Sequence, residues 1–230
     1  MVRNELVRRS PLRILEKSTR GGLGTGNIGV ITGPKGVGKT ACLVHIATDR
    51  LLQQKHVIHV SFRSDALHII SWYEDIFTEI ARQYNLDCAM DVHDDIIRNR
   101  IVMTFRQDGT HWPAIEKCIS GLMSDTHFSV DTVVVDGFDF SAARPDEMQT
   151  LRRFAVDRGL EFWFSATAEM VGGGDIPGSL APFSDSISII VGMQQREGHV
   201  RLGLVKDHDN PPVPDLHLKL DPQTLLIAEE

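Results

Sequence analysis

Gly33-Pro34-Lys35-Gly36-Val37-Gly38-Lys39-Thr40 satisfies G-x-x-x-x-G-K-[ST] at every fixed position. A short apolar run, residues 28–32, precedes it, and a stretch of helical period, residues 39–52, follows. Strand, glycine loop and helix together are the context in which this motif carries chemistry. Glycines let backbone N–H groups turn inward around phosphate oxygens, and the helix N-terminus adds the positive end of its dipole. Lys39 is expected to reach the β- and γ-phosphates, and the Thr40 hydroxyl to join a Mg²⁺ shell. Gly33, Pro34, Lys35, Gly36, Val37, Gly38 and Ala41 complete the expected phosphate cradle.

The second element is Val133-Val134-Val135-Asp136. A buried apolar strand that ends in Asp delivers a carboxylate at its C-terminal edge, where phosphates and metal meet. Asp136 is therefore the second expected metal residue beside Thr40. Asp139 reads as a loop or cap residue.

Outward from these two motifs, strand and helix patterns alternate. Strands are expected at 57–62, 101–105, 132–136 and 160–165. Helices are expected at 66–84, 113–123 and 146–158, the last closed by Gly159. Residues 87–100 are acidic and fit neither period cleanly. After Gly172 the pattern changes to short strands at 187–193, 199–205, 216–220 and 225–228, with no long helix between them. The expectation is an α/β fold with a mostly parallel central sheet flanked by helices and an antiparallel C-terminal strand extension.

Composition narrows the function classes. A chain of 230 residues with 42% apolar content can bury a sizeable core without staples. No apolar run approaches the ~18 residues of a membrane span, so no membrane partner is expected. Residues 1–20 lack the uninterrupted apolar stretch of a signal peptide, which makes the cytosol the expected location. Cys42, Cys88 and Cys118 form no C-x-x-C pair and read as reduced thiols rather than a zinc site. The net charge of −7 weighs against a protein that coats nucleic acid. Residues 1–20 are the local exception, with Arg3, Arg8, Arg9, Arg13, Lys17 and Arg20 against Glu5 and Glu16. This basic N-terminal segment reads as a solvated helix, or as an arm that docks on a neighbouring subunit or an anion. Residues 21–230 read as a single domain.

Gly21-Gly22-Leu23-Gly24-Thr25-Gly26 ahead of the first strand resembles the glycine turn that opens KaiC-like members of the RecA superfamily. The resemblance continues through residues 57–62 and 133–136 and through Ser184-Asp185 before the strand at 187–191. It ends at Val205-Lys206-Asp207-His208, where that family often has Lys-x-Arg. It implies a RecA-like P-loop NTPase core that binds ATP with Mg²⁺ and assembles into a homo-oligomer, with nucleotide between subunits. It also implies a γ-phosphate-sensing role for a polar residue at the tip of the strand 160–165, where Ser165 stands with Thr167 nearby. Lys206 is left as the trans-acting cation. Loops that touch DNA in RecA relatives correspond to the region of Gly172-Gly173-Gly174, which here carries Asp175 and no Lys or Arg from 171 to 195.

Two departures bear on activity. The family places glutamate just after the second strand to polarise the attacking water, whereas this chain reads Ser61-Phe62-Arg63-Ser64-Asp65. Asp65 is the remaining carboxylate candidate for that catalytic role, beside Lys39; Glu74 and Asp75 lie further along the expected helix. His208 stands where the second cation is usual. These features point to a slow or assembly-dependent ATPase. The readings beside it are a nucleotide-controlled regulatory module that contacts partner proteins and, less favoured by the charge, a recombination accessory protein on DNA. The absence of an Asn/Thr-Lys-x-Asp motif favours ATP over GTP. His56 and His59 are offset by three on a strand and so face opposite ways, which argues against a metal pair. Trp72, Trp112 and Trp163 read as core.

Overall fold

The computed structural model describes residues 2–83, 90–106, 112–125, 128–168 and 175–230. The strands are β1 (Ile28–Gly33), β2 (Val57–Ser61), β3 (Arg100–Thr104), β4 (Thr132–Asp136), β5 (Glu161–Thr167), β6 (Ile189–Arg196), β7 (His199–Asp207), β8 (Leu218–Leu220) and β9 (Ile227–Glu229). They form one nine-stranded sheet in the order β3-β2-β4-β5-β1-β6-β7-β8-β9. Every pairing from β3 across to β6 is parallel. The pairings from β6 to β9 are antiparallel. The α/β architecture with a C-terminal antiparallel extension is thus the observed one.

Helices cover both faces. They are α1 (Val2–Arg9), α2 (Leu12–Ser18), α3 (Lys39–Leu52), α4 (Ala66–Gln83), α5 (Met90–Arg98), α6 (Trp112–Asp125) and α7 (Pro145–Arg158). Val134 and Trp163 face the core beneath α3 and α4, while Val133, Val135, Phe162 and Phe164 face the core beneath α6 and α7. Burial on both faces is why β1, β2 and β4 read as unbroken apolar runs rather than alternating ones. One glycine in β1 has a packing reason. Gly29 pairs with Trp163, and a Cβ there would lie 2.6 Å from the indole ring.

Residues 87–100, ambiguous by pattern, contain α5 and the first residue of β3. Cys88 lies outside the described residues, as do Tyr84 and Gly172, Gly173 and Gly174. Cys42 and Cys118 are free thiols. In α7, Pro145 occupies the first turn and Gly159 closes the helix at φ 66°.

The N-terminal segment differs from a solvated helix. Leu6, Leu12 and Leu15 are buried in the core that α3 and α4 share. Arg3 pairs with Asp95, Arg13 with Glu16 and Asp49, and Glu16 with Arg50. Its alternating charges bracket an apolar stripe, and Arg3, Arg9 and Arg13 bind acidic groups of the same chain. No helix among the described residues is long and apolar enough to cross a membrane.

Candidate functional site

Parallel pairing carries the C-terminal ends of β1, β2, β4 and β5 to one edge of the sheet. Gly33 pairs with Thr167, Ser61 with Asp136, and Val135 with Phe164. The chain leaves β1, the central strand of the nine, for β2, three places along, and β4 and β5 later fill the gap between them. Residues 33–40 occupy this edge.

The loop conformation depends on its glycines. Gly36 and Gly38 sit at φ +81° and +98°, in the region that L side chains rarely adopt. Gly38 caps α3 and also packs under Leu220 of β8, which leaves no room for a Cβ. Pro34, Lys35 and Gly36 form the exposed lip, whereas Val37 and Ala41 are buried. The Lys39 ammonium donates to the carbonyls of Gly33 at 3.0 Å and Pro34 at 2.6 Å. Burial lowers its pKa, the nearby Arg63 charge adds to that, and Asp136 opposes both.

Asp136 is the hub of the edge. Its Oδ2 accepts the Thr40 hydroxyl at 2.9 Å and its Oδ1 accepts the Ser165 hydroxyl at 2.6 Å. Ser165 Oγ in turn accepts the backbone N–H of Gly137 at 2.9 Å. Three of the residues expected from sequence, Thr40, Asp136 and Ser165, are therefore joined by direct hydrogen bonds, with Lys39 at the base of the same loop. The Thr40 hydroxyl and the Asp136 carboxylate form an oxygen pair of the kind that holds Mg²⁺, which binds through few protein oxygens and completes its shell with phosphate and water. The donor set fits that ion.

The exit from β2 is organised differently. The Ser61 hydroxyl donates to the carbonyl of Ser64 and accepts its N–H, both at 3.0 Å. Asp65 Oδ1 accepts the N–H of His68 at 2.8 Å, and its carbonyl accepts the N–H of Ile69. Asp65 is thus the N-cap of α4. Between these two fixed points Arg63 lies across Gly137, the residue after Asp136. A Cβ on Gly137 would come within 2.6 Å of Arg63 Cγ. Sequence reasoning noticed Arg63 as a missing carboxylate and did not anticipate a cation beside Lys39; the positive φ of Gly137, at +79°, is the local signal for the close approach.

Lys206 is not brought to the loop. It pairs with Ile190 near the start of β6, towards the opposite edge of the sheet, and its ammonium binds the carbonyls of Ser184 and Ile187. Burial lowers its pKa, against the pull of Asp185 and Asp209. His208 Nε2 meets the carbonyl of Leu23 in the glycine turn at 3.2 Å. Asp139 bonds to Ser141 as a loop residue does. His59 is buried against the Tyr73 hydroxyl, whereas His56 meets Ser129, so the two histidines do not converge. Trp112 and Trp163 are core residues on opposite faces of the sheet, and Trp72 is half-buried against the core that holds Trp163. Asp215, His217 and Glu230 bring ligand atoms within 4.8 Å of one another at the surface. Arg201 already pairs with Asp215 there. No family model matches this chain, and no curated protein matches it.

Proposed function

We propose that this chain is a RecA-like, KaiC-related P-loop protein that binds Mg·ATP through residues 33–40 and Asp136 and hydrolyses it slowly or only when assembled. The observation that carries this reading is the hydrogen bond from Thr40 to Asp136, made where the glycine loop, the N-terminus of α3 and Lys39 share the C-terminal edge of the parallel sheet. In this reading backbone N–H groups of 35–40 cradle the phosphates. Lys39 would leave the Gly33 and Pro34 carbonyls for phosphate oxygens, and Thr40 with Asp136 would hold Mg²⁺. Bound Mg²⁺ supplies charge neutralisation at the phosphates. Ser165 fixes the Asp136 carboxylate and lies where a change at the terminal phosphate would be felt. Lys206, at the other edge, would meet a phosphate only on a neighbouring subunit, in keeping with a cytoplasmic homo-oligomer.

The capping role of Asp65 favours a second reading, a non-catalytic module whose bound nucleotide sets its contacts with partner proteins. A carboxylate engaged by the His68 N–H is poorly placed to activate water. Calorimetric titration with ATP, with and without Mg²⁺, joined to steady-state hydrolysis across protein concentration, tests both. Mg²⁺-dependent binding with a rate per subunit that rises with concentration supports the assembling ATPase. Binding with no turnover at any concentration supports the module, and no binding removes both.

A further inference from the structure

The β2 exit carries a cation whose position is prepared from both sides. Ser61, buried at the end of β2, holds the backbone of Ser64 by two hydrogen bonds, and Asp65 caps the next helix. The short span between them has little freedom to move. The Phe62 N–H is bonded to the Asp136 carbonyl at 3.0 Å, which ties this span to the end of β4. Arg63 then reaches over Gly137, where a Cβ would meet Arg63 Cγ at 2.6 Å, Cδ at 2.9 Å and Nε at 3.2 Å. The guanidinium is exposed and makes no hydrogen bond or ion pair among the described residues. Its charge is felt by Lys39 on one side and by Asp139 on the other.

Two cations, Lys39 and Arg63, thus stand at the edge beside Asp136, with Asp139 on the far side of Arg63. We propose that Arg63 is a ligand for the terminal phosphate of a bound nucleoside triphosphate, so that the site retains the triphosphate in preference to the diphosphate. This inference rests on the phosphate-loop reading of residues 33–40 and adds to it the preference between nucleotide states. The guanidinium fork suits two phosphate oxygens at once, and it needs no proton transfer. It stabilises a bound triphosphate without activating water, so the same position that carries no general base gains a clamp.

Calorimetric titration of wild type, Arg63→Ala, Arg63→Lys and Lys39→Ala with Mg·ATP and Mg·ADP tests this. The expected result is that Arg63→Ala weakens ATP binding about tenfold and ADP binding by less than about threefold, as one charge-assisted contact to the terminal phosphate implies. Arg63→Lys should restore part of the ATP affinity, because it returns the charge without the fork. If wild type binds ATP and Lys39→Ala weakens it, while Arg63→Ala changes neither nucleotide or both equally, the Arg63 inference is overturned and the loop reading stands. If wild type binds neither nucleotide, the loop reading falls and the inference with it.

Discussion

The two flanks of Asp136 are built by opposite rules. On the side of α3, Lys39 is engaged on loop carbonyls, and Thr40, with Ser165 from β5, on the Asp136 carboxylate. In the proposed reading these bonds hold the groups in place until phosphate and metal replace them. On the side of β2, the carboxylate is spent on a helix cap and the projecting group is a cation. Cations, Lys39 and Arg63, stand on both flanks, and Asp65, the carboxylate expected as the base, is engaged as a helix cap. In the proposed reading, binding and turnover are separable, because they draw on different strand ends.

The sharpest way to break this comparison is to remove the grip. Lys39→Ala should cost about 1.5–3 kcal/mol of ATP binding, ten- to a hundredfold, with far less effect on adenosine. Calorimetry that finds equal ATP affinity in both proteins would take Lys39 out of the site.

Acid should act on the helix that carries the loop. His45 of α3 is fully buried and its Nδ1 accepts the N–H of Ile227 in β9, so burial pushes its pKa down to about 4. The folded imidazole is neutral, whereas the unfolded chain takes up a proton near pH 6.5. The stabilising contribution is therefore complete above pH 6.5 and is lost as the pH falls towards 4. A loss of about 2 kcal/mol between pH 7 and 5 is expected from this residue. Denaturant melts at the two pH values should show a shallower drop for His45→Asn, which keeps an acceptor and cannot be protonated; the remaining slope includes His59, which burial also shifts down.

Gly137→Ala tests the β2 flank. A non-glycine residue at φ +79° and a clash with Arg63 should cost about 1–2 kcal/mol of stability. The displaced guanidinium should also narrow the gap between ATP and ADP affinity, as Arg63→Ala does. A smaller effect is expected at the cap. Asp65→Ala should lose about 1 kcal/mol in thermal unfolding, and Asp65→Asn much less, since Asn caps as well as Asp. If Asn proves as damaging as Ala, the cap is not the role of that side chain.

The sequence disclosed the edge of the sheet better than it disclosed what surrounds it. Thr132–Asp136 and Lys39–Leu52 were legible at both ends, because a strand buried on both faces and a helix after a glycine loop leave unambiguous patterns. Three of the four C-terminal strands start later than the apolar runs suggest, whereas β7 begins at His199 as expected. Ile187, Leu216 and Leu226 are buried, yet each precedes its ladder. Hydropathy reports burial, and pairing begins where the backbone does. Residues 1–20 misled through charge, since their apolar stripe is short and their arginines find partners on α3 and α5, far along the chain. At the site, local motifs identified Lys39, Thr40 and Asp136, whereas the contact of Arg63 with Gly137 joins residues 74 apart and has no spacing to read. The placement of Lys206 follows from the antiparallel run of β7, a topological fact that a local pattern does not carry.

The separation of binding from turnover is tested most directly by steady-state hydrolysis under saturating Mg·ATP, with wild type, Asp65→Asn and Arg63→Glu compared at matched protein concentration. A positioned base is worth about 10²–10⁴ in rate. The account predicts slow turnover in wild type, no change in Asp65→Asn, and an increase in Arg63→Glu if the new carboxylate reaches the water. Wild-type turnover of about 1 s⁻¹ or faster, abolished by Asp65→Asn, would contradict it and make Asp65 the base.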